Sequence, residues 1–480
     1  YGIADGSRST QATFFDMDKD GDLDLWVMNH GLRNRGAGSN VWLSQAATLD
    51  KAVYNRECST LYRNDGNGHF TDISESAGIQ KIGFGLGMAI RDFDEDGFLD
   101  VYIANDFFIP DFFFKNNGNG TFTDVSNEKI AHSPYYAMGC DAADVNNDGL
   151  TDLMIVDMTP ADHVRNKVLM SSMDVVGFEY LTESKQYQPQ YMYNSLFINS
   201  GLGVMSDIGL FAGVSQTDWS WAPLLADFNN DGWKDLMVTN GFRKDTKNND
   251  WKNELIELRN RKGSAYSPAD YFEHLKKADV NPVPNQIFQN TGGLKFEQNN
   301  ADWGFETPSS SNGAAYADLD QDGDLDLVIN NFDQPAFVYR NNSRENNSGN
   351  FIRFKLKNGK TSNAVMHSKI CLFYKGEMQC NDYAFTRGYQ SFVEPVLHFG
   401  LGDNEVVDRA VITWLDGQES IIKNPAINQV HEIDRQSIDV NEGYMDIKPG
   451  LFTNISKSHI QPQFIHRENE FDDFSKEILL

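Results

Sequence analysis

Short apolar runs with an aspartate in second place recur five times along the chain. They are LDLWV at 23–27, LDVYI at 99–103, TDLMIV at 151–156, KDLMV at 234–238 and LDLVI at 325–329. Runs of this length, rich in branched and aromatic residues, predict buried strands. A second pattern lies between them: LYRNDGNGHFTDISESAGI (61–79), FFFKNNGNGTFTDVSNEKI (112–130), NSLFINSGLGVMSDIGLFAGV (194–214) and NQIFQNTGGLKFEQNNADWGF (285–305). Each reads as strand, Asn/Gly turn, strand, which is a hairpin. Residues 158–193 and 241–284 interrupt the pattern and read as partly helical, as in Asp250-Trp-Lys-Asn-Glu-Leu-Ile-Glu-Leu-Arg259 with apolar spacings of three and four.

The polar positions before each apolar run are more regular still. A nine-residue phrase carries Asp or Asn at positions one, three, five and nine and Gly at six. The copies are Asp16-Met-Asp-Lys-Asp-Gly-Asp-Leu-Asp24, Asp92-Phe-Asp-Glu-Asp-Gly-Phe-Leu-Asp100, Asp144-Val-Asn-Asn-Asp-Gly-Leu-Thr-Asp152, Asp227-Phe-Asn-Asn-Asp-Gly-Trp-Lys-Asp235 and Asp318-Leu-Asp-Gln-Asp-Gly-Asp-Leu-Asp326. Carboxylates this close repel unless a cation lies among them, and calcium takes six to eight hard oxygens from a flexible loop. The expected ligands are Asp16, Asp18, Asp20, Asp24; Asp92, Asp94, Asp96, Asp100; Asp144, Asn146, Asp148, Asp152; Asp227, Asn229, Asp231, Asp235; and Asp318, Asp320, Asp322, Asp326. Position seven (Asp22, Phe98, Leu150, Trp233, Asp324) varies freely, as expected if it offers only its backbone carbonyl. The glycine permits the turn that gathers these oxygens.

An EF-hand would need a bidentate Glu at position twelve. That position holds Val27, Ile103, Ile155, Val238 and Ile329, so each loop joins two strands instead. Fourteen residues before the first Asp stand Gly2, Gly78, Gly213 and Gly304, with Ile130 breaking the rule in the third copy. Thirteen residues after it stand Asn29, Asn105, Asp157, Asn240 and Asn331, read as strand-end residues that close a turn on their own backbone. One unit is therefore four strands. Successive loops start 76, 52, 83 and 91 residues apart, and the shortest interval approaches the 40–50 residues of a propeller blade. Radial stacking of such units is expected, with a solenoid as the alternative.

These phrases resemble the FG-GAP/VCBS repeats of integrin-α-type β-propellers over residues 1–345. Residues 346–437 resemble the ASPIC/UnbV domain, which follows such repeats in cartilage acidic proteins and many bacterial surface proteins. Arg387-Gly-Tyr-Gln-Ser391, Leu397-His-Phe-Gly-Leu-Gly402, Val411-Ile-Thr-Trp-Leu-Asp-Gly417 and Asn428-Gln429 carry that match. Where that domain has a Gly-Ala pair, this chain has Asn363-Ala-Val-Met-His-Ser-Lys369. Thr217-Asp-Trp-Ser-Trp-Ala-Pro-Leu-Leu-Ala-Asp227 is further similar to large multi-repeat proteins of Bacteroidetes. The resemblance implies an all-β fold: a propeller, seven-bladed in the full protein, then a small ASPIC/UnbV β-domain, with short helical insertions. Leu451-Phe-Thr-Asn-Ile-Ser-Lys-Ser-His-Ile460 repeats the cadence of residues 70–79, so 438–480 reads as a linker and the start of further repeats. The chain is accordingly expected to be a fragment whose propeller is incomplete at the N-terminus.

Composition narrows the function. The formal charge is −28, and the ligand positions of the loops hold 18 of the carboxylates. Five calcium ions would bring it to −18, still unfavourable for nucleic acid, which needs basic patches. No stretch approaches the length of a membrane span. Cys58 and Cys140 read as isolated thiols or small apolar residues. Cys371 and Cys380 flank Leu372-Phe-Tyr-Lys-Gly-Glu-Met-Gln379; a two-residue turn at Lys375-Gly376 sets them opposite each other, within disulfide reach. A disulfide there fits export, and millimolar external calcium fits weak modular sites.

The ten histidines form no metalloprotease pattern, and neither a GxSxG elbow nor a phosphate loop is present. His398 reads as structural, and Trp219 and Trp221 as packing between blades. The expected function is a non-catalytic extracellular or bacterial surface/periplasmic calcium-binding scaffold that binds an unidentified protein or glycan; no oligomeric state is assigned. The alternatives are a lectin-like component of a glycan-uptake system and a calcium-dependent polysaccharide lyase or hydrolase.

Overall fold

The structure, a computed structural model, describes residues 1–4, 6–31, 43, 46–169, 175–346, 349–359 and 365–442. The phrase at 451–460 and part of the 363–369 stretch lie outside the described residues.

Five antiparallel sheets follow one another, each running first strand to last in chain order. Their first strands are Ser9–Phe15, Gly85–Arg91, Cys140–Ala143, Ser220–Ala226 and Ser311–Ala317. Their second strands are Asp24–Asn29, Asp100–Asn105, Asp152–Ile155, Asp235–Asn240 and Asp326–Asn331. The nine-residue phrase is the loop between them. Four sheets then carry the expected hairpin: Thr60–Asn64 with Phe70–Asp72, Phe112–Asn116 with Phe122–Asp124, Ser195–Asn199 with Met205–Asp207, and Gln286–Asn290 with Phe296–Gln298. Among the described residues the fifth sheet has three strands, ending at Phe337–Tyr339. First strands of consecutive sheets lie side by side, as the inner strands of propeller blades do.

Alternation along each second strand builds the core. Val101 and Ile103 face blade 1, where they meet Phe15 and Trp26, while Tyr102 faces blade 3 and packs with Leu153 and Phe197. Met154 and Met237 repeat the switch one blade further on. Both sheet faces are thus buried, and the strands read as continuous apolar runs rather than alternating ones. The insertions are helical as expected: His163–Leu169, Val175–Glu179, Asn249–Lys262 and Pro268–Leu275.

From Asn350 onward the chain forms two sheets over one apolar core. One orders Leu397–Gly402, Asn350–Lys357 and Val430–Asp434; the other orders Glu377–Asp382, Lys369–Tyr374, Arg409–Thr413, Gln418–Lys423 and Asn441–Glu442. Ile352, Phe354, Leu372, Phe399, Ile412 and Trp414 share that core with residues of blades 4 and 5. Cys371 and Cys380 form the expected disulfide, with Tyr374 opposite Glu377 and the turn at Lys375-Gly376. Cys58 and Cys140 are buried free thiols. A small hairpin, Thr386–Arg387 with Ser391–Phe392, runs against the inner strands of blades 2 to 5. Residues 1–441 form one compact unit.

One expectation needs amendment. Asp157 accepts the N–H of the adjacent Met158, but Asn29, Asn105, Asn240 and Asn331 also bond backbone beyond the two-residue turn expected of them. Their amides donate to the carbonyls of Cys58, Pro110, Pro284 and Pro335, the approach to the next strand. Trp219 does pack in the core between blades 3 and 4, stacked on Phe242. Trp221 packs against the same core and also meets Tyr389 of the C-terminal hairpin.

Candidate metal centres

Each loop is folded by the same backbone bonds. The residue at position four and the glycine at six adopt left-handed φ, for example Lys19 at 63° with Gly21 at 90° and Gln321 at 63° with Gly323 at 96°. A side chain is strained at φ near 90°, hence the glycine. Its N–H donates to Oδ2 of position one: Gly21 to Asp16 (3.0 Å), Gly97 to Asp92 (2.8 Å), Gly149 to Asp144 (2.9 Å), Gly232 to Asp227 (2.8 Å) and Gly323 to Asp318 (3.1 Å). The N–H of position seven donates to position five, as Phe98 does to Asp96 at 2.9 Å.

Position nine ties the loop to the rest of its blade. Asp24, Asp100, Asp152, Asp235 and Asp326 each accept the N–H of position two on Oδ2. On Oδ1 each accepts the N–H of the asparagine ending the third strand: Asn64, Asn116, Asn199, Asn290 or Asn341. Their second lone pairs stay available.

These bonds leave specific oxygens without hydrogen-bond partners. Oδ1 of Asp16, Asp18, Asp92 and Asp94, together with Oδ2 of Asp322 and Oδ1 of Asp324, are buried and accept no hydrogen bond. Buried acceptors are ordinarily satisfied, so such a cluster is what a hard-oxygen cation site looks like without its ion. Oxygens of Asp16, Asp18 and Asp24 lie within 4.8 Å of one another, as do those of Asp92, Asp94 and Asp96 and of Asp318, Asp320 and Asp326. The residues of these three loops fit a divalent cation. Burial drives the carboxyls upward, helped by neighbouring carboxylates: Asp24 to about 7, Asp92 to about 6, Asp100 to about 8.

Loops 3 and 4 differ. Asn146 and Asn229 turn their amide nitrogens onto Asp148 and Asp231, each at 2.8 Å. The buried ammonium of Lys234 lies in the field of both Asp144 and Asp227. Burial raises Asp152 to about 8 and Asp227 to about 7. At position seven the side chains part ways: Asp22 is exposed, Phe98, Leu150 and Trp233 lie over turn glycines, and Asp324 is buried.

Beyond the ligand set, the loop tips carry the C-terminal sheets, which the sequence did not reveal. Lys369 pairs with Glu95 at 2.8 Å and donates to the Gly149 carbonyl at 2.5 Å. His398 bonds Asn230 at 2.6 Å, so its role is structural, and Arg353 bonds Asp318 at 2.6 Å. Arg387 enters the inner strands and meets Asp141 at 3.1 Å, while the Cys140 N–H donates to the Gly388 carbonyl at 3.3 Å.

Comparison with known proteins agrees with this architecture. Residues 48–103, 92–155 and 173–238 match the FG-GAP-like repeat, and residues 359–439 match the ASPIC and UnbV family. Cartilage acidic protein 1 of Homo sapiens is 23% identical over 369 residues, covering 75% of this chain and 45% of its own length. The Xenopus tropicalis protein of that name is 22% identical over 425 residues, covering 87% and 53%. The chain spans about half the length of the curated relatives it matches. Among solved structures, an Agrocybe aegerita lectin specific for non-reducing terminal N-acetylglucosamine aligns with a TM-score of 0.31 and 14% identity, over 70% of this chain and 67% of the lectin. A V. cholerae biofilm matrix protein aligns with a TM-score of 0.33 and 11% identity, over 88% and 61%. No helix among the described residues is long and apolar enough to cross a membrane.

Proposed function

Because this chain carries FG-GAP-like repeats joined to an ASPIC/UnbV domain, we propose that it is a non-catalytic, extracellular or bacterial surface scaffold whose loops take calcium and whose blades bind a protein or glycan. The observation that supports this reading is the set of buried carboxylate oxygens inside the loops that accept no hydrogen bond. Bound calcium would supply charge neutralisation and a hard coordination centre. Asp16 and Asp18, Asp92 and Asp94, and Asp318 and Asp320 would hold it, with the Asn-containing loops 3 and 4 completing a set of about five sites. The chain's own groups do the rest. Position nine orients each loop on its third strand, and Glu95, Asn230 and Asp318 present the loop tips to the ASPIC/UnbV domain. The Cys371–Cys380 disulfide supports an oxidising location. Trp219 stacks on Phe242, and Trp221 lies parallel to Phe242 and makes an edge contact with Tyr389, which favours a scaffold over a sugar-stacking lectin site at that string.

Native mass spectrometry of the chain, stripped and then returned to millimolar calcium, tests the reading. The expected result is several ions per chain, lost in steps as loop aspartates are replaced. A chain that takes up none rejects it.

A further inference from the structure

Blade 5 departs from the others at position seven and in the turn after its third strand. Asp324 is 0% exposed, whereas Asp22, the same residue at the same place in loop 1, lies at the surface. Its Oδ2 accepts the Arg344 N–H at 3.1 Å, and its Oδ1 has no hydrogen-bond partner. Oδ2 of Asp322 is likewise buried and without one. In blades 1 to 4 the matching turn places Gly66, Gly118, Gly201 or Gly292 against position seven. Blade 5 has Ser343 in the matching place, and two residues later the chain brings in Glu345. Asp322, Asp324 and Glu345 thereby each set an oxygen within 4.8 Å of the others.

Charge counting points the same way. Seven carboxylates crowd this corner: Asp318, Asp320, Asp322, Asp324, Asp326, Glu345 and Glu394. Two guanidinium groups answer them, Arg353 on Asp318 and Glu394, and Arg340 on Asp320, Asp322 and Glu345. Five negative charges remain, more than the one divalent cation of the loop neutralises. Arg340 is a weak counter-charge, because its side chain is 58% exposed and pairs of that kind contribute little.

We propose that Asp322, Asp324 and Glu345 form a second hard-cation site on blade 5, beside the site of the nine-residue loop and sharing Asp322 with it. Calcium is the ligand class that fits, since the donors are all oxygens on flexible loops. The site rests on the calcium reading of the loops but adds an ion that the repeat does not encode. In the full chain, Glu345→Gln is a surface change that leaves folding intact, and native mass spectrometry in calcium counts the ions. Glu345→Gln and Asp324→Asn are each expected to lose one ion relative to the parent, while Asp320→Ala loses the loop's own ion and keeps the Glu345-dependent one. Arg340→Gln, which removes the tethered competitor, is expected to tighten binding of that ion in calorimetric titration. An unchanged count in Glu345→Gln, with the loop ions still bound, overturns this site alone. No bound ion in any variant or in the parent overturns the loop reading as well.

Discussion

The side-chain amide of Asn290 donates across a blade boundary to the backbone carbonyl of Val145, 2.9 Å away. The same bond joins Asn116 to Met17 (2.8 Å), Asn199 to Phe93 (2.7 Å) and Asn341 to Phe228 (2.6 Å). Each acceptor is position two of the preceding loop, and each asparagine also reaches position eight of its own loop. One side chain therefore fastens two neighbouring candidate metal loops together.

Replacing Asn290 with Ala removes both amide bonds and the acceptor for the Gly292 N–H, leaving buried carbonyls unmatched. At about 1–3 kcal/mol per unsatisfied buried group, the loss should reach about 3 kcal/mol in urea denaturation. Asn64→Ala, which breaks bonds only within its own blade, should cost about half as much. Equal losses at the two positions would show that the inter-blade bond contributes nothing.

Arg387 and Asp141 are 4% and 0% exposed by side chain, and their pairing seats the ASPIC/UnbV hairpin against the inner strands. Arg387→Met should destabilise the protein by about 3–5 kcal/mol, because it strands a buried carboxylate. Adding Asp141→Asn should recover part of that loss. Thermal melts and limited proteolysis of the 386–392 hairpin check this, and a single variant as stable as the parent would refute the pairing's role.

Acidity should act in opposite directions on the metal-free and calcium-loaded chain. Burial lifts Asp24 to about 7, Asp92 to about 6, and Asp100 and Asp152 to about 8, whereas an unfolded carboxyl titrates near 3.9. Between those limits the metal-free folded state holds more protons than the unfolded chain. Its stability is therefore greatest near pH 4 as far as these groups are concerned, and falls as pH rises toward 8. Calcium competes with the same protons, so its apparent affinity should weaken from pH 8 to pH 6, with protons released on binding. Melts in EDTA across that range, and titration calorimetry in buffers of different ionisation enthalpy, measure both. An EDTA-form stability that rises with pH would contradict the assignment.

Much of this was legible in the sequence because it is local. The nine-residue loop, the hairpins and the Cys371–Cys380 register are set by residues within a few positions of each other, and each has a spacing that sequence displays. The unread parts are long-range. Arg387 and Asp141 are 246 residues apart, and nothing in Arg387-Gly-Tyr-Gln-Ser391 states which strands it will meet. The inter-blade asparagines Asn116, Asn199 and Asn290 fall within what reads as an Asn/Gly turn, two residues before the glycine, so the sequence shows only their turn role. Position seven read as unconstrained because its role depends on a turn that lies 19 to 59 residues further on: a glycine in four blades, and Ser343 followed by Glu345 in the fifth.

In the proposed function, the repeated loops are calcium sites that hold the blades and, through their tips, the ASPIC/UnbV domain. A thermal melt in excess EDTA, in millimolar Mg²⁺ and in millimolar Ca²⁺ tests it most directly. The expected result is a large rise in Tm that is selective for calcium, with blades and C-terminal domain unfolding together. Identical melts in all three would contradict it.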